Sequence, residues 1–247
     1  MKINIKGPII PSSQQWVYDW FGMEATSPQK VNDLIEKANG EDLDVEINSG
    51  GGSVFAASEI YTALKSYQGK TTGKIVGLAA SAASVIAMGV KILSMSPTGQ
   101  IMIHNSSTWT EGDYREMEHT ADVLKSINDT IANAYRIKTG KTQEELLALM
   151  DNETWLTAQK AKELGFIDEI MFENESQWVA NFNHSEMLPP EVINKVRNAI
   201  KSPNFQESQE DTERIDKKNQ LKNQIEIAKS KLALEIEASY FNFKEEF

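Results

Sequence analysis

Residues 43–64, LDVEINSGGGSVFAASEIYTAL, join two hydrophobic periods through a run of glycines. Leu43, Val45 and Ile47 recur at every second position, the period of a β-strand. Ala57, Ile60, Tyr61 and Leu64 then recur three and four residues apart, on one face of a helix. Between them lies Ser49-Gly50-Gly51-Gly52-Ser53. A strand running through a glycine loop into a helix is half of a βαβ unit.

The same alternation extends outward. Residues 2–10 read as a strand around Ile3 and Ile5. Ser27-Pro28 opens a helix, since Ser caps free N–H groups and Pro at the first helical position sacrifices no hydrogen bond. Val31, Leu34, Ile35 and Ala38 continue it and Gly40 stops it. Lys74 to Val76 is a brief strand leading into Ala79-Ala80-Ser81-Ala82-Ala83-Ser84, whose small side chains permit tight helix packing. Ile92–Met95 and Ile101–Ile103 are further strands, 112–138 a long helix, 157–164 a shorter one, and Phe166–Met171 a closing strand. Strands alternating with helices predict an α/β domain over 1–175 with stacked βαβ units and a parallel sheet.

Residues 176–247 differ. Leu188-Pro189-Pro190 and Ser202-Pro203-Asn204 break the chain, and 207–219 are almost wholly polar. Leu221, Ile225, Ala228 and Leu232 form an a/d seam too short for a stable coiled coil. The expectation is a charged, helical or partly disordered tail, with Tyr240-Phe241-Asn242-Phe243 as a possible docking peptide.

Composition narrows the function. With 25 Lys+Arg against 36 Asp+Glu, the net charge of −11 repels phosphate backbones and argues against nonspecific nucleic-acid binding. The absence of Cys removes disulfides, thiolate metal sites and a Cys nucleophile. Three His (His104, His119 and His184) make a His-rich metal site a poor reading. No apolar run is long enough for a transmembrane helix, and the N-terminus lacks a signal-peptide core, so a cytoplasmic chain is expected.

Three short stretches bear chemistry jointly. Backbone N–H groups of Asn48-Ser49-Gly50-Gly51-Gly52-Ser53 are unobstructed and lie near a helix N-terminus, where they can donate to an anion or an oxyanion. The loop is neither a Walker loop nor a GxGxxG fingerprint. In Gly77-Leu78-Ala79-Ala80-Ser81, a Ser at a strand-to-helix junction presents an uncrowded hydroxyl, and the N–H of Ala82 stands beside it. Alone, such a Ser reads first as a helix N-cap, and no GxSxG elbow is present. Ser84 is the rival hydroxyl, read as packing inside the helix. In Met102-Ile103-His104-Asn105, His104 ends an apolar strand and is the side chain best able to deprotonate a Ser near neutral pH. Its orienting acid is Asp151 or Glu153, which spacing alone does not separate.

These residues together resemble the proteolytic subunit family of Clp protease (ClpP), and within it the ClpP-like head maturation (prohead) proteases of tailed phages. Ile47-Asn48-Ser49-Gly50-Gly51-Gly52-Ser53-Val54 is similar to the family's INSPGGSV loop, with Gly50 in place of Pro. Gly77-Leu78-Ala79-Ala80-Ser81 is similar to GQAAS, and Met102-Ile103-His104 matches MIH. Lys138-Thr139-Gly140-Lys141-Thr142 resembles the HTGQS turn, and the match runs on ungapped through Thr157-Ala158 to Gly165-Phe166-Ile167-Asp168.

The resemblance implies a ClpP/crotonase-type fold and a serine endopeptidase. It places the nucleophile on Ser81, the base on His104 and, counting back from Thr157-Ala158, the acid on Glu153 with Asp151 as fallback. The oxyanion donors become the N–H groups of Gly51 and Ala82. No metal or organic cofactor is implied. It further implies a homo-oligomeric ring with the 112–138 helix at the interface, and limited cleavage of capsid, scaffold or portal protein in the host cytoplasm. The chain opens almost at its first core strand, without an axial gating segment, and carries no ATPase motif. Docking of a Clp-type ATPase is therefore not expected, and ATP-independent cleavage is. The rival readings are a crotonase-type acyl-CoA enzyme, in which a Ser/His pair is redundant, and a catalytically silent capsid-assembly factor.

Overall fold

A computed structural model describes residues 1–173, and the reading of 176–247 as a tail lies outside them. The first strand, β1 (Lys2–Lys6), is shorter than expected. Gly7 turns the chain out of the sheet at φ 66°. Ile9 then forms isolated bridges to Thr26 and Gly52 rather than extending β1. A seven-residue helix absent from the sequence expectations, α1 (Gln15–Phe21), follows. Its apolar positions, Trp16, Val17, Trp20 and Phe21, share one helical face, and none of them is buried. The next helix, α2 (Pro28–Ala38), starts where Ser27 Oγ accepts the N–H of Lys30. Asn39 as well as Gly40 takes the left-handed conformation that ends it.

The sheet is built from β2 (Leu43–Ser49), β3 (Thr71–Ala80), β4 (Ile92–Met95) and a two-residue β7 (Glu169–Ile170) beside β1. Their order is β1-β2-β3-β4-β7, every pair parallel. The helices α3 (Val54–Ser66) and α4 (Ala82–Ala87) provide the crossovers that parallel pairing requires. Ile3, Ile5, Val45, Ile47, Ile75, Ile60, Leu64 and Ile86 are fully buried, so the alternate residues of the strands and the inward stripe of the helices share one core.

Off this path, β5 (Gln100–Ile103) pairs in parallel with β3 and antiparallel with β6 (Thr154–Thr157). Between β5 and β6 lie the 26-residue α5 (Tyr114–Thr139) and α6 (Gln143–Asp151). Both begin with capping boxes, Asp113 with Glu116 and Thr142 with Glu145. Hydrogen bonds from the Arg115 side chain and from cap N–H groups hold the Asp113 carboxyl below its usual range. A last helix, α7 (Ala158–Glu163), returns the chain to β7. The closing strand is thus much shorter than Phe166–Met171. A nearly buried Lys138 at the end of α5 lies 2.6 Å from Asp168 Oδ2, which also accepts the N–H of Leu93 at 2.7 Å. That pair fastens α5 to the β4–β7 edge. No helix among the described residues is long and apolar enough to cross a membrane.

Candidate active site

The central strand changes partners midway. Thr72–Ile75 of β3 pair with β4, and Leu78–Ala80 pair with β5. Between them the β2–β3 register slips from Ile47↔Ile75 to Ser49↔Ala79, a bulge carrying two extra residues on β3. Asn48 patches the interrupted ladder, its Oδ1 accepting the N–H of Leu78 at 3.1 Å. A Cβ at Gly77 would sit 2.6 Å from that same oxygen, so a larger residue there would displace the Asn48 side chain from this bond. The bulge steers the end of β3 alongside β5, and the Ser81 N–H continues the pairing by donating to Met102 O at 2.9 Å.

Ser81 therefore leaves β3 beside the residue that leaves β5. His104 Nε2 and Ser81 Oγ are 2.8 Å apart. A serine donates across that distance when Nε2 is unprotonated and Nδ1 carries the ring proton. Ser81 itself has φ 53° and ψ −125°, outside the regions open to ordinary side chains. Such a conformation costs about 1–3 kcal/mol and persists only where the surroundings enforce it. It makes a sharp strand-to-helix turn that lifts the hydroxyl clear, the arrangement known from hydrolase nucleophile elbows. The hydroxyl makes no capping bond to α4, so Ser81 is not a side-chain N-cap.

The glycine loop abuts the same turn. Gly51 has φ 98°, and a Cβ there would lie 2.7 Å from both Ala80 O and Ser81 Cβ, and 3.0 Å from Ala82 N. Two bonds to Ile9, its N–H to Gly51 O and its carbonyl to the Ser53 N–H, clamp the loop. The Gly51 N–H donates to the buried Ser49 Oγ at 3.1 Å, and Ser49 in turn donates to Gly7 O at 2.6 Å. The Ala82 N–H opens α4, where no preceding turn provides an acceptor. Gly51→Ala adds backbone strain to overpacking against backbone atoms, and is expected to destabilise the fold by about 3 kcal/mol. Thermal denaturation should register this as a drop of about 10 °C, at 2–4 °C per kcal/mol for a chain of this size.

The two candidate acids go elsewhere. Asp151 Oδ1 accepts from Asn105 Nδ2 at 2.7 Å, and Glu153 Oε1 accepts from Trp155 Nε1 at 3.3 Å. Neither carboxylate is hydrogen bonded to His104 among the described residues. The β5–β6 ladder nonetheless ends at Ile103↔Thr154, the residues next to His104 and Glu153. Glu153, at φ 44°, is where the chain turns from α6 into β6.

Ser84 does more than pack. Its hydroxyl donates to Ser81 O at 2.6 Å and lies 2.8 Å from the phenol oxygen of the fully buried Tyr135. Burial pushes the Tyr135 phenol well above its ordinary pKa, and the Ser84 bond offsets this only in part. Tyr135 is 51 residues from Ser84, and only its apolar helical spacing marks it in the sequence. His119 lies on α5, 16 residues before Tyr135, and His184 is outside the described residues. No cluster of residues suited to a metal ion occurs among the described residues.

A serine at positive φ thus meets an imidazole at the end of a parallel sheet, beside a clamped glycine loop. Comparison with known proteins specifies the class. The family model for Clp protease matches residues 28–174, and the chain belongs to that family. It is 33% identical over 134 residues to an ATP-dependent Clp protease proteolytic subunit of Bacteroides fragilis, covering 53% of this chain and 65% of that protein. It is 32% identical over 166 residues to the ATP-dependent Clp protease proteolytic subunit 1 of Chlamydia abortus, covering 62% of this chain and 85% of that protein. A Deinococcus radiodurans proteolytic subunit is 30% identical over 141 residues, with 56% and 69% covered. The chain spans slightly less than two thirds of the length of the Bacteroides fragilis proteins it matches.

Proposed function

We propose that this chain is a serine endopeptidase that uses Ser81, His104 and Glu153. Ser81 Oγ attacks the carbonyl carbon of a peptide bond while His104 Nε2 takes its proton. The tetrahedral intermediate places its oxyanion between the N–H groups of Ala82 and Gly51. Collapse breaks the C–N bond, and His104 returns the proton to the leaving amine. Water, deprotonated by the same imidazole, then releases the acid and restores Ser81. Each oxyanion donor is worth about 2.7–4 kcal/mol of transition-state stabilisation. For Gly51 to donate, its N–H must exchange Ser49 Oγ for the oxyanion. The observation that carries this reading is the 2.8 Å contact between His104 and a serine held at positive φ.

A fluorophosphonate tests it directly. The intact chain is expected to gain one phosphonyl adduct on Ser81, located by mass spectrometry of its peptides. Absence of the adduct, or an adduct on another residue, overturns the assignment. Acyl-CoA binding by an unlabelled chain would favour the crotonase-type alternative instead.

For the substrate, the proposal is limited, ATP-independent cleavage of a capsid, scaffold or portal protein in the host cytoplasm. The support is the resemblance to phage head maturation proteases and the polar, proline-broken composition of residues 176–247. The relatives are ATP-dependent by name, so the purified chain's turnover without nucleotide is the informative comparison. A homo-oligomeric ring is part of the proposal. Tyr114, Met117, Val123 and Ile137 expose apolar surface along α5, as an interface helix would.

A further inference from the structure

We propose that Tyr135 and Ser84 are positioning residues, a two-hydroxyl relay that aims the Ser81–Ala82 peptide at the reacting carbonyl. The inference rests on the reading of Ser81 as nucleophile and adds to it residues from α4 and α5.

Proton bookkeeping sets the direction of the relay. Ser84 has one hydroxyl proton, and its 2.6 Å contact with Ser81 O requires that proton, because two bare acceptors repel at that distance. At the 2.8 Å contact, Tyr135 is therefore the donor and Ser84 Oγ the acceptor. Both side chains are fully buried, with the phenol ring packed against Phe166 at 5.7 Å between centroids. A buried phenol held above its ordinary pKa remains a donor throughout the working pH range.

The relay ends on a carbonyl that matters. Ser81 O already receives the N–H groups of Ser84 at 2.9 Å and Val85 at 3.4 Å, and the hydroxyl is the closest of its three donors. That carbonyl belongs to the same planar peptide unit as the Ala82 N–H, which points to the opposite side. Fixing the oxygen therefore fixes the direction of the proposed oxyanion donor, and with it the ψ of Ser81. Two buried hydroxyls thus span 51 residues of sequence to brace one peptide plane. A serine bonding back to the preceding turn is a common local motif. The second hydroxyl, arriving from α5, is what the local motif does not require.

Paired variants separate positioning from stability. Ser84→Ala alone strands a buried phenol and is expected to lower the melting temperature. The double variant S84A/Y135F removes both partners in place and should recover most of that loss, since no buried donor is left unpaired. Its phosphonylation by a fluorophosphonate should still be impaired. The expected result is a maximal rate about tenfold below wild type, with the half-saturating reagent concentration within about twofold. A double variant that is folded and reacts at the wild-type rate overturns the relay. Should it not fold, Tyr135→Phe, which strands no buried donor, decides instead: a smaller loss of maximal rate supports the relay and a wild-type rate overturns it. A wild-type chain that is not labelled at Ser81 overturns the nucleophile assignment and the relay with it. A labelled wild type beside unchanged variants overturns the relay alone.

Discussion

A Ser81→Ala chain is expected to fold and to lose about 10⁶-fold in peptidase turnover, the loss typical when a nucleophile that works as a unit with its base is removed. The residual rate is what oxyanion donors and substrate binding provide by themselves. Stability should change little, because Ala retains the Cβ and the backbone strain at φ 53° while losing one half-exposed hydrogen bond to His104. Ser81→Gly sharpens the test. Glycine occupies positive φ without penalty, so this variant should melt above the alanine variant while being equally inactive. Turnover of casein, followed by gel, measures the first effect, and calorimetry the second. Normal processing by Ser81→Ala would remove the proposed chemistry altogether.

The next largest effect concerns the acid. Glu153→Gln is expected to lower turnover by about 10³–10⁴, as when a triad carboxylate becomes an amide and the imidazole loses its orienting acceptor. Asp151→Asn should remain within a few-fold of wild type, since the amide oxygen can still accept from Asn105 Nδ2, the bond Asp151 makes now. The argument is one of register. The β5–β6 ladder ends at Ile103↔Thr154, so Glu153 directly adjoins the last paired residue as His104 does, whereas Asp151 still belongs to α6. Glu153 must first release Trp155 Nε1, an exposed contact of 3.3 Å. The reverse pattern of losses assigns Asp151. Small losses in both leave a Ser81–His104 dyad.

Much of this architecture is legible along the chain. Apolar alternation at Leu43, Val45 and Ile47 and the helical stripe at Ala57, Ile60 and Leu64 require only local geometry, and each of these residues is buried. The start of α2 at Ser27-Pro28 is equally local, a side-chain cap on a peptide N–H. Where a helix is only seven residues long and its apolar face is not buried, as in α1, or where a strand is made of Ala and Gly, as at the end of β3, local signals are weak. There pairing with β2 and β5 overrides poor strand propensity. The α6 capping box, Thr142 with Glu145, was a usable signal for that helix.

The order of the glycine loop, Ala-Ala-Ser, Met-Ile-His and the Glu153-to-Asp168 ending depends on covalent sequence alone, and it is enough to place the chain in its family. Sequence order cannot state whether a hydroxyl and an imidazole 23 residues apart meet. That was decided by the β3 bulge, which moves a strand from one neighbour to another, and by packing that holds Ser81 at a backbone angle no local preference favours. The bond between Ser84 and Tyr135 belongs to the same category. Hydrogen bonds between distant segments form because burial leaves those groups no water to bond, and burial is a property of the folded chain as a whole.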